Sequence, residues 1–402
     1  MYNLKEIVDQ IYYVGVNDRQ KEAFENYLPL PHGVSYNSYV IVDEKIAIMD
    51  TVDISVVSTF LSKIEAALQG RNADYLVVHH MEPDHAGSIE LLIQKYPNIE
   101  IITSSKSKDM LKGYFNITEN IKEVKEGEKL SLGKRELTFY MAPMVHWPEV
   151  MVSFESLDKI LFSADAFGTF STNDGGYIDS DIKLDKYWNE MRRYYACIVG
   201  KFAIPVQNAL KKLSALPIEM ICTLHGPVWK QEMYKVVSMY DKWSRFEPEE
   251  DGLVIAYGTM YGNTQHLAEA VAEGAVSAGL KNVVVYNVSK TDTSFILADI
   301  FRYKGVVLGS PTYMGEIYPM VEKLMLAIEH RGIANRIFGC FGSYTWASKA
   351  TKMLTAFPEK MNWEMIGSVD NKQSVSAEKY QEAYQLGKRM AEAILNDLTD
   401  NN

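Results

Sequence analysis

Four side chains able to ligate metals, His80, Glu82, Asp84 and His85, crowd into one short stretch of the chain. The apolar run at 75–78 leads into them, so a strand end delivers them to a turn. Pro83 disfavours helix at Glu82, which predicts an irregular loop aiming these side chains at one point. Three more candidates stand at loop or strand-end positions. They are His146 in Pro143-Met144-Val145-His146-Trp147-Pro148, Asp165 in Phe162-Ser163-Ala164-Asp165-Ala166, and His225 in Cys222-Thr223-Leu224-His225-Gly226-Pro227. Four imidazoles and three carboxylates are too many ligands for one tetrahedral zinc. They suit two metals of octahedral type, with Asp165 between them as a bridge. Two divalent ions, three carboxylates and one hydroxide sum to no net charge, which spares a buried cluster a large desolvation cost. Oxygen and imidazole ligation without thiolate favours iron or manganese over copper(I). His79 lies outside the pattern, and His32, His266 and His330 read as ordinary structural or surface histidines.

A second kind of chemistry is written after residue 257. Gly258-Thr259-Met260-Tyr261-Gly262-Asn263-Thr264 lies between an apolar run at 253–257 and a helical stretch at 265–279. Backbone N–H groups and hydroxyls at such a helix start form an anion site, and the helix dipole favours a phosphate there. The spacing is neither that of a nucleoside-triphosphate loop nor that of a dinucleotide fingerprint. The loop holds no lysine, which argues against a triphosphate. Gly309-Ser310-Pro311-Thr312-Tyr313-Met314-Gly315 and Gly342-Ser343-Tyr344-Thr345-Trp346-Ala347 follow two later strand-like runs. All three segments leave carboxyl ends of strands, where an open α/β sheet binds its ligand. Their tyrosines and tryptophan can pack on a flat aromatic ring while backbone groups address its polar edge.

The elements that must position these groups divide the chain in two. An acidic connection, Arg245-Phe246-Glu247-Pro248-Glu249-Glu250-Asp251-Gly252, predicts an exposed boundary between about 1–250 and 251–402. The first part contains a hairpin at 38–42 and 46–50, an amphipathic helix at 52–68, a strand at 75–78 and a helix at 89–95. In the second part, strands at 253–257, 283–286, 305–309, 337–341 and 363–369 alternate with helices near 264–279, 319–330, 348–356 and 377–396. That rhythm is the one of a single doubly wound sheet.

The 402 residues carry 41 Lys+Arg against 52 Asp+Glu, a formal charge of -11. A field of that sign opposes nucleic acid and anionic membrane as partners. The three cysteines, Cys197, Cys222 and Cys340, lie too far apart for a zinc ribbon or a thiolate-bound iron site. Their sparse, odd count suits a reducing compartment. No signal peptide is read at the N-terminus and no apolar run is long enough for a bilayer, so a cytoplasmic location is expected.

With Glu at its third position, the order His80, Glu82, Asp84, His85, then distant His146, Asp165 and His225, resembles flavodiiron proteins within the metallo-β-lactamase superfamily. The second part resembles a flavodoxin, so the resemblance covers essentially the whole chain. It implies an α/β protein, with a metallo-β-lactamase-like αββα sandwich over 1–250 followed by a flavodoxin-like doubly wound parallel sheet over 251–402. It assigns His80, Glu82 and His146 to one iron, and Asp84, His85 and His225 to the other, with no catalytic residue beyond the ligands. It implies FMN held by Thr259, Met260, Tyr261, Gly262, Asn263 and Thr264, then by Pro311, Thr312, Tyr313, Met314 and Gly315, and finally by Ser343, Tyr344, Thr345, Trp346 and Ala347. Family members often carry Gly-Trp-Ser-Gly in the third loop, where this chain has Thr345-Trp346-Ala347-Ser348. Two glycines are replaced, so this loop cannot draw on their easy positive φ.

The implied activity is reduction of O2 to water, or of NO to N2O, at a non-haem diiron site fed by FMN. With no cysteine-rich segment present, the implied donor is a separate rubredoxin or a rubredoxin reductase-type protein. The implied assembly is a head-to-tail homodimer or a dimer of such dimers. Two rival readings are weaker. A dizinc hydrolase is disfavoured by Glu82 where histidine is expected, and it leaves the flavin part without a purpose. A non-enzymatic flavodoxin-like electron carrier is disfavoured because no metal position is missing.

Overall fold

A computed structural model describes residues 4–396. The chain divides into two compact units, 1–241 and 242–402. In the first, a seven-stranded mixed sheet runs Lys5–Val8, Ile11–Tyr13, Tyr39–Val42, Ile46–Met49, Tyr75–Val77, Glu100–Thr103 and Ile121–Glu123. A five-stranded mixed sheet runs Lys129–Ser131, Glu136–Met141, Met151–Glu155, Ile160–Phe162 and Met220–Cys222. One core joins them: Tyr39, Ile41, Ala47, Met49 and Val77 from the first sheet pack with Leu137, Phe139, Met151, Ile160 and Phe162 from the second. Alternate residues Val40, Ile46 and Ile48 are buried too. Both faces of these strands are therefore covered, which is why they read as unbroken apolar runs rather than alternating ones.

The hairpin forms as expected, with Tyr39 opposite Met49 and Val42 opposite Ile46 around the turn at 43–45. The expected helix at 52–68 begins later. Asp53 accepts a hydrogen bond from the Ser55 N–H and caps a 3-10 turn, Ile54–Val56, before the α-helix Val57–Leu68. That delay leaves residues 50–53 outside helix and strand.

In the second unit, five parallel strands lie in the order Val283–Asn287, Glu250–Tyr257, Tyr303–Tyr313, Ile337–Tyr344, Glu364–Lys372. This is the doubly wound order in which the chain reverses direction beside its first strand. Helices Asn263–Ser277 and Ala377–Asn396 cover one core, with Leu267, Val271, Leu386 and Met390 packed against Leu253, Ile255 and Val307. The helix Thr293–Arg302 was not predicted from the sequence.

Two expectations need correcting. The stretch 245–252 is not simply exposed, because the Trp243 indole donates to Glu249, the Arg336 guanidinium donates to the Phe246 carbonyl, and the first strand already starts at Glu250. The second and third ligand segments are also less loop-like than expected. Tyr303–Tyr313 continues through Thr312 because Thr312 and Tyr313 pair with Ile317 and Glu316. Met314 and Gly315 form the two-residue turn, both with positive φ (51° and 84°), as a hairpin of this twist requires. No membrane-length apolar helix occurs among the described residues.

Candidate metal centre

Every expected metal ligand stands after the carboxyl end of a strand in the first unit. His80 follows Tyr75–Val77, His146 follows Glu136–Met141, Asp165 follows Ile160–Phe162 and His225 follows Met220–Cys222. The stretch after His80 corrects the expectation of a wholly irregular loop. Glu82 is extended (φ -60°, ψ 137°), as a residue before proline should be, but Pro83 then opens a helical turn, Pro83–Ala86. Proline lacks an N–H, and the first helical position needs none, so it ends the extended segment and starts the turn. The turn sets Asp84 and His85 side by side. At the far side, Gly226 has φ +77°, and a Cβ there would meet the Thr169 Oγ1 at 2.3 Å. Only glycine lets the chain leave His225 in that direction.

All seven side chains are buried. Their donor atoms fall into two groups, His80, Glu82, His146 and Asp165 in one, and Asp84, His85 and His225 in the other. Asp165 spans both. Its Oδ2 lies 3.2 Å from His146 Nε2 and 3.5 Å from His80 Nε2, while its Oδ1 lies 3.0 Å from His85 Nε2 and 3.8 Å from His225 Nε2. Glu82 Oε2 is 3.1 Å from His146 Nε2, and Asp84 Oδ2 is 3.2 Å from His225 Nε2. Each group thus offers two imidazole nitrogens and one carboxylate of its own, with one oxygen of the shared carboxylate.

The donors fit cations. His85 Nε2 and His225 Nε2 face each other at 3.1 Å, and Asp84 Oδ2 lies 3.4 and 3.2 Å from the two. Both oxygens of Asp84 and Oδ1 of Asp165 are buried without a hydrogen-bond donor. Acceptors packed this closely in a dry pocket need positive charge among them. The carboxylates draw protons in the same way. Burial alone would lower the His85 pKa, but Asp84 and Asp165 push it up to about 9. Burial likewise opposes the charged form of His146, yet Asp165 and Glu82 push its pKa up to about 9.

Outer groups hold the ligands in place. His80 Nδ1 bonds Glu149 Oε1 at 2.8 Å, and the same oxygen accepts from the Met81 N–H at 3.0 Å. His225 Nδ1 bonds the Ser35 carbonyl at 2.7 Å. His79 faces elsewhere, with Nδ1 2.6 Å from Asp50 Oδ2 and Nε2 2.8 Å from Ser153 Oγ. Asp50, at φ 56°, also accepts from the His79 amide, and Thr51 donates its N–H and hydroxyl to the His85 carbonyl. Glu149 and Asp50 were not singled out from the sequence. Neither lies on a periodic pattern, and only the folded chain brings them behind the histidines.

In the second unit the segment expected to bind an anion leads into a helix. Gly262, at φ +94°, precedes the helix Asn263–Ser277, and its N–H donates to the Thr259 hydroxyl. Thr264 is buried and its hydroxyl bonds that of Ser343 at 2.9 Å, tying the first segment to the third. A pocket is lined by Thr259, Met260, Tyr261, Asn263 and Thr264 from the first segment. Pro311 and Thr312 from the second and Ser343, Tyr344 and Thr345 from the third complete most of it. Gly262 caps the helix behind this pocket, and Tyr313, Met314, Gly315, Trp346 and Ala347 are not among its lining. Gln373, unforeseen, also lines it, at φ 60° with its N–H on the Tyr344 carbonyl. The third loop does without the missing glycines, since no residue from Thr345 to Ser348 has positive φ. Trp346, at 88% exposed, projects from it, as do Tyr261 (90%) and Met314 (88%) from theirs.

Comparisons with known proteins match both units of the chain. Residues 34–226 match the ODP family beta lactamase model and residues 255–387 match the flavodoxin model. The chain is 31% identical to an uncharacterised protein of Methanocaldococcus jannaschii over 96% of this chain and 98% of that one. It is 30% identical to the anaerobic nitric oxide reductase flavorubredoxin of Vibrio vulnificus, over 96% of this chain and 79% of that one. Its structure matches the rubredoxin oxygen:oxidoreductase of Desulfovibrio gigas with a TM-score of 0.93 at 30% identity, covering 98% and 100% of the two chains. It matches the flavodiiron protein of Giardia intestinalis with the same TM-score at 25% identity, covering 100% and 99%. A β-lactamase-like unit with two clustered donor groups, joined in one chain to a flavodoxin unit, makes this protein a member of the flavodiiron family of oxidoreductases, whose cofactors are FMN and a non-haem diiron pair.

Proposed function

We propose that this chain reduces a small diatomic gas, O2 to water or NO to N2O, in the cytoplasm. The observation that carries this reading is the division of seven buried donors into two like groups by the two oxygens of Asp165. His80, Glu82 and His146 would hold one iron, Asp84, His85 and His225 the other, and Asp165 would bridge them. When bound, the iron pair supplies electrons where a diatomic can ligate, and FMN supplies a one-electron relay to it.

The chain's own residues do the rest. Glu149, the Ser35 carbonyl and Thr51 hold His80, His225 and the His85 backbone at fixed angles, so these side chains need little reorganisation when electrons arrive. Phe24, Tyr194 and Tyr36 ring His225 at centroid distances of 5.5, 5.5 and 6.1 Å and exclude bulk water from that side. Thr259, Asn263 and Thr264 would address the FMN phosphate from the helix start, with Thr312, Ser343, Tyr344 and Gln373 around the remainder. The apolar side chains of Met260, Tyr261, Tyr313, Met314 and Trp346 stand exposed around these loops. A head-to-tail homodimer, or a dimer of such dimers, would cover them and bring one chain's flavin to its partner's iron. A rubredoxin or rubredoxin reductase-type protein would supply the electrons.

The test is metal and flavin analysis followed by anaerobic turnover with O2 and NO offered separately. About two irons and one FMN per chain, with consumption of either gas, supports the reading. Zinc with hydrolase activity, or flavin without metal, sinks it.

A further inference from the structure

The two donor groups are alike in kind: each has two imidazoles through Nε2 and one carboxylate of its own, and Asp165, grouped with the first, also reaches His85 Nε2 at 3.0 Å through Oδ1. In direct reach of a metal their own side chains differ in type only by Glu82 against Asp84. The difference lies one layer out. Behind His80 stands Glu149, 1% exposed, 2.8 Å from Nδ1. Its second oxygen, Oε2, has no hydrogen-bond partner, and no lysine or arginine pairs with it among the described residues. Behind His225 stands only a neutral carbonyl, that of Ser35, and His85 Nδ1 has no partner at all.

Other acids do not cancel this contrast. Asp50 is bonded to His79 and to backbone N–H groups rather than to a ligand imidazole. Asp53, nearer the second group through Tyr36, is paired with Lys21 at 2.9 Å. Glu25 sits against Glu82 but is exposed, so water screens its charge.

We propose that Glu149 is a positioning residue that makes the two iron sites unequal, so that the iron on the His80 side is the first to be oxidised. This rests on the ligand set proposed above. A buried carboxylate accepting the His80 N–H makes that imidazole a stronger donor and adds one uncompensated negative charge on its side. Both effects stabilise the ferric over the ferrous ion there. When an oxidised flavin accepts one electron from the diferrous pair and becomes one electron more reduced, the ferric charge would stay at the His80 position, with no bond made or broken at the irons. His225, leaning on a neutral carbonyl, gives its iron no such help.

The experiment compares the native protein, Glu149→Gln and Glu149→Asp, each loaded with iron-57 and titrated through its redox range under Mössbauer and EPR observation. Native protein without two irons refutes the proposed ligand set, and the inference with it. With two irons present, the native protein should oxidise in two separate one-electron steps; a single two-electron step overturns the inference while leaving the ligand set intact. Glu149→Gln keeps the shape and removes the charge. Its steps should draw together by at least tenfold in the ratio of the two equilibrium constants, about 59 mV for one-electron couples. One iron should also be lost to a chelator about 10–100-fold more readily. Glu149→Asp keeps the charge and should stay nearer the native values on both readings. Unchanged or widened steps in a diiron Glu149→Gln protein overturn the inference. Should Glu149→Gln refuse iron, the order of iron affinity decides: Asp above Gln supports the proposal, and equal or reversed order overturns it.

Discussion

The two units solve opposite problems. In the first, every group that would touch a metal is buried, and His80, His225 and the His85 backbone are each held by a named partner. In the second, the anion loop is anchored by Thr259, Thr264 and Ser343, but Tyr261, Met314 and Trp346 stand almost wholly exposed around it. A metal demands a few donor atoms at fixed distance, and misplacing one costs affinity directly. A flat ring needs area and a polar edge, which many side chains supply. Rigidity is therefore concentrated where coordination requires it, and tolerance is left where stacking allows it.

That contrast can be broken first at the bridge. Asp165→Ala should abolish gas reduction and lose both irons, because its two oxygens serve both groups, while the flavin spectrum stays at one FMN per chain. Metal analysis beside the visible spectrum checks this, and an Asp165→Ala protein with two irons and full activity would refute the ligand assignment. Asp84→Asn and His225→Ala should behave likewise, with loss concentrated on the second group.

The next test asks whether the units cooperate across chains. An Asp84→Asn protein and a flavin-loop mutant should each be inactive alone. After subunit exchange, mixed dimers carry one intact pair, so activity should recover to roughly a quarter of the native level with random pairing. A monomer at working concentration, or no recovery despite proven exchange, ends the head-to-tail proposal.

The flavin side should yield more gradually. Thr264→Val with Asn263→Ala removes hydrogen-bonding groups from the anion loop, at about 1–3 kcal/mol for each unmet bond. FMN affinity should fall by at least about tenfold with iron content unchanged. Full retention of FMN through extended dialysis would show that the phosphate sits elsewhere.

A last test is in pH, and it concerns the metal side alone. In iron-free protein the His85 and His146 pKa values are pushed up to about 9, so below that pH an incoming ion must displace their protons. Apparent iron affinity should rise from pH 7 to about 9, by up to about tenfold per unit for each proton released, and then level off. The sign for stability follows the same way. A raised histidine pKa stabilises the iron-free fold fully below the ordinary value near 6.5, and that contribution is lost as pH rises through about 9. Flavin affinity should be level over this range. Flat iron affinity between pH 7 and 9 would contradict the charge assigned to this pocket.

Much of this molecule was legible from residue order alone. The seven candidate ligands could be picked out because metal chemistry uses few residue types, and His80, Glu82, Asp84 and His85 lie within six consecutive residues. Strands such as Ile46–Met49 and Leu253 to Tyr257 within Glu250–Tyr257 were readable because a strand buried on both faces must be apolar throughout. The helical turn at Pro83 was not, because proline forbids helix before itself and permits it after, and the choice depends on what Asp84 and His85 must reach. Tyr303–Tyr313 ran longer than predicted because a partner strand, Glu316–Ile317, was available to pair with it. Only the tertiary structure could place Glu149 behind His80, Ser35 behind His225, and Gln373 beside the flavin loops. Those contacts join residues far apart in sequence, where no periodicity or spacing links them. Residue types settled which atoms are able to bind metal and phosphate; packing decided which of them meet, which imidazole leans on a charge, and which on a neutral carbonyl.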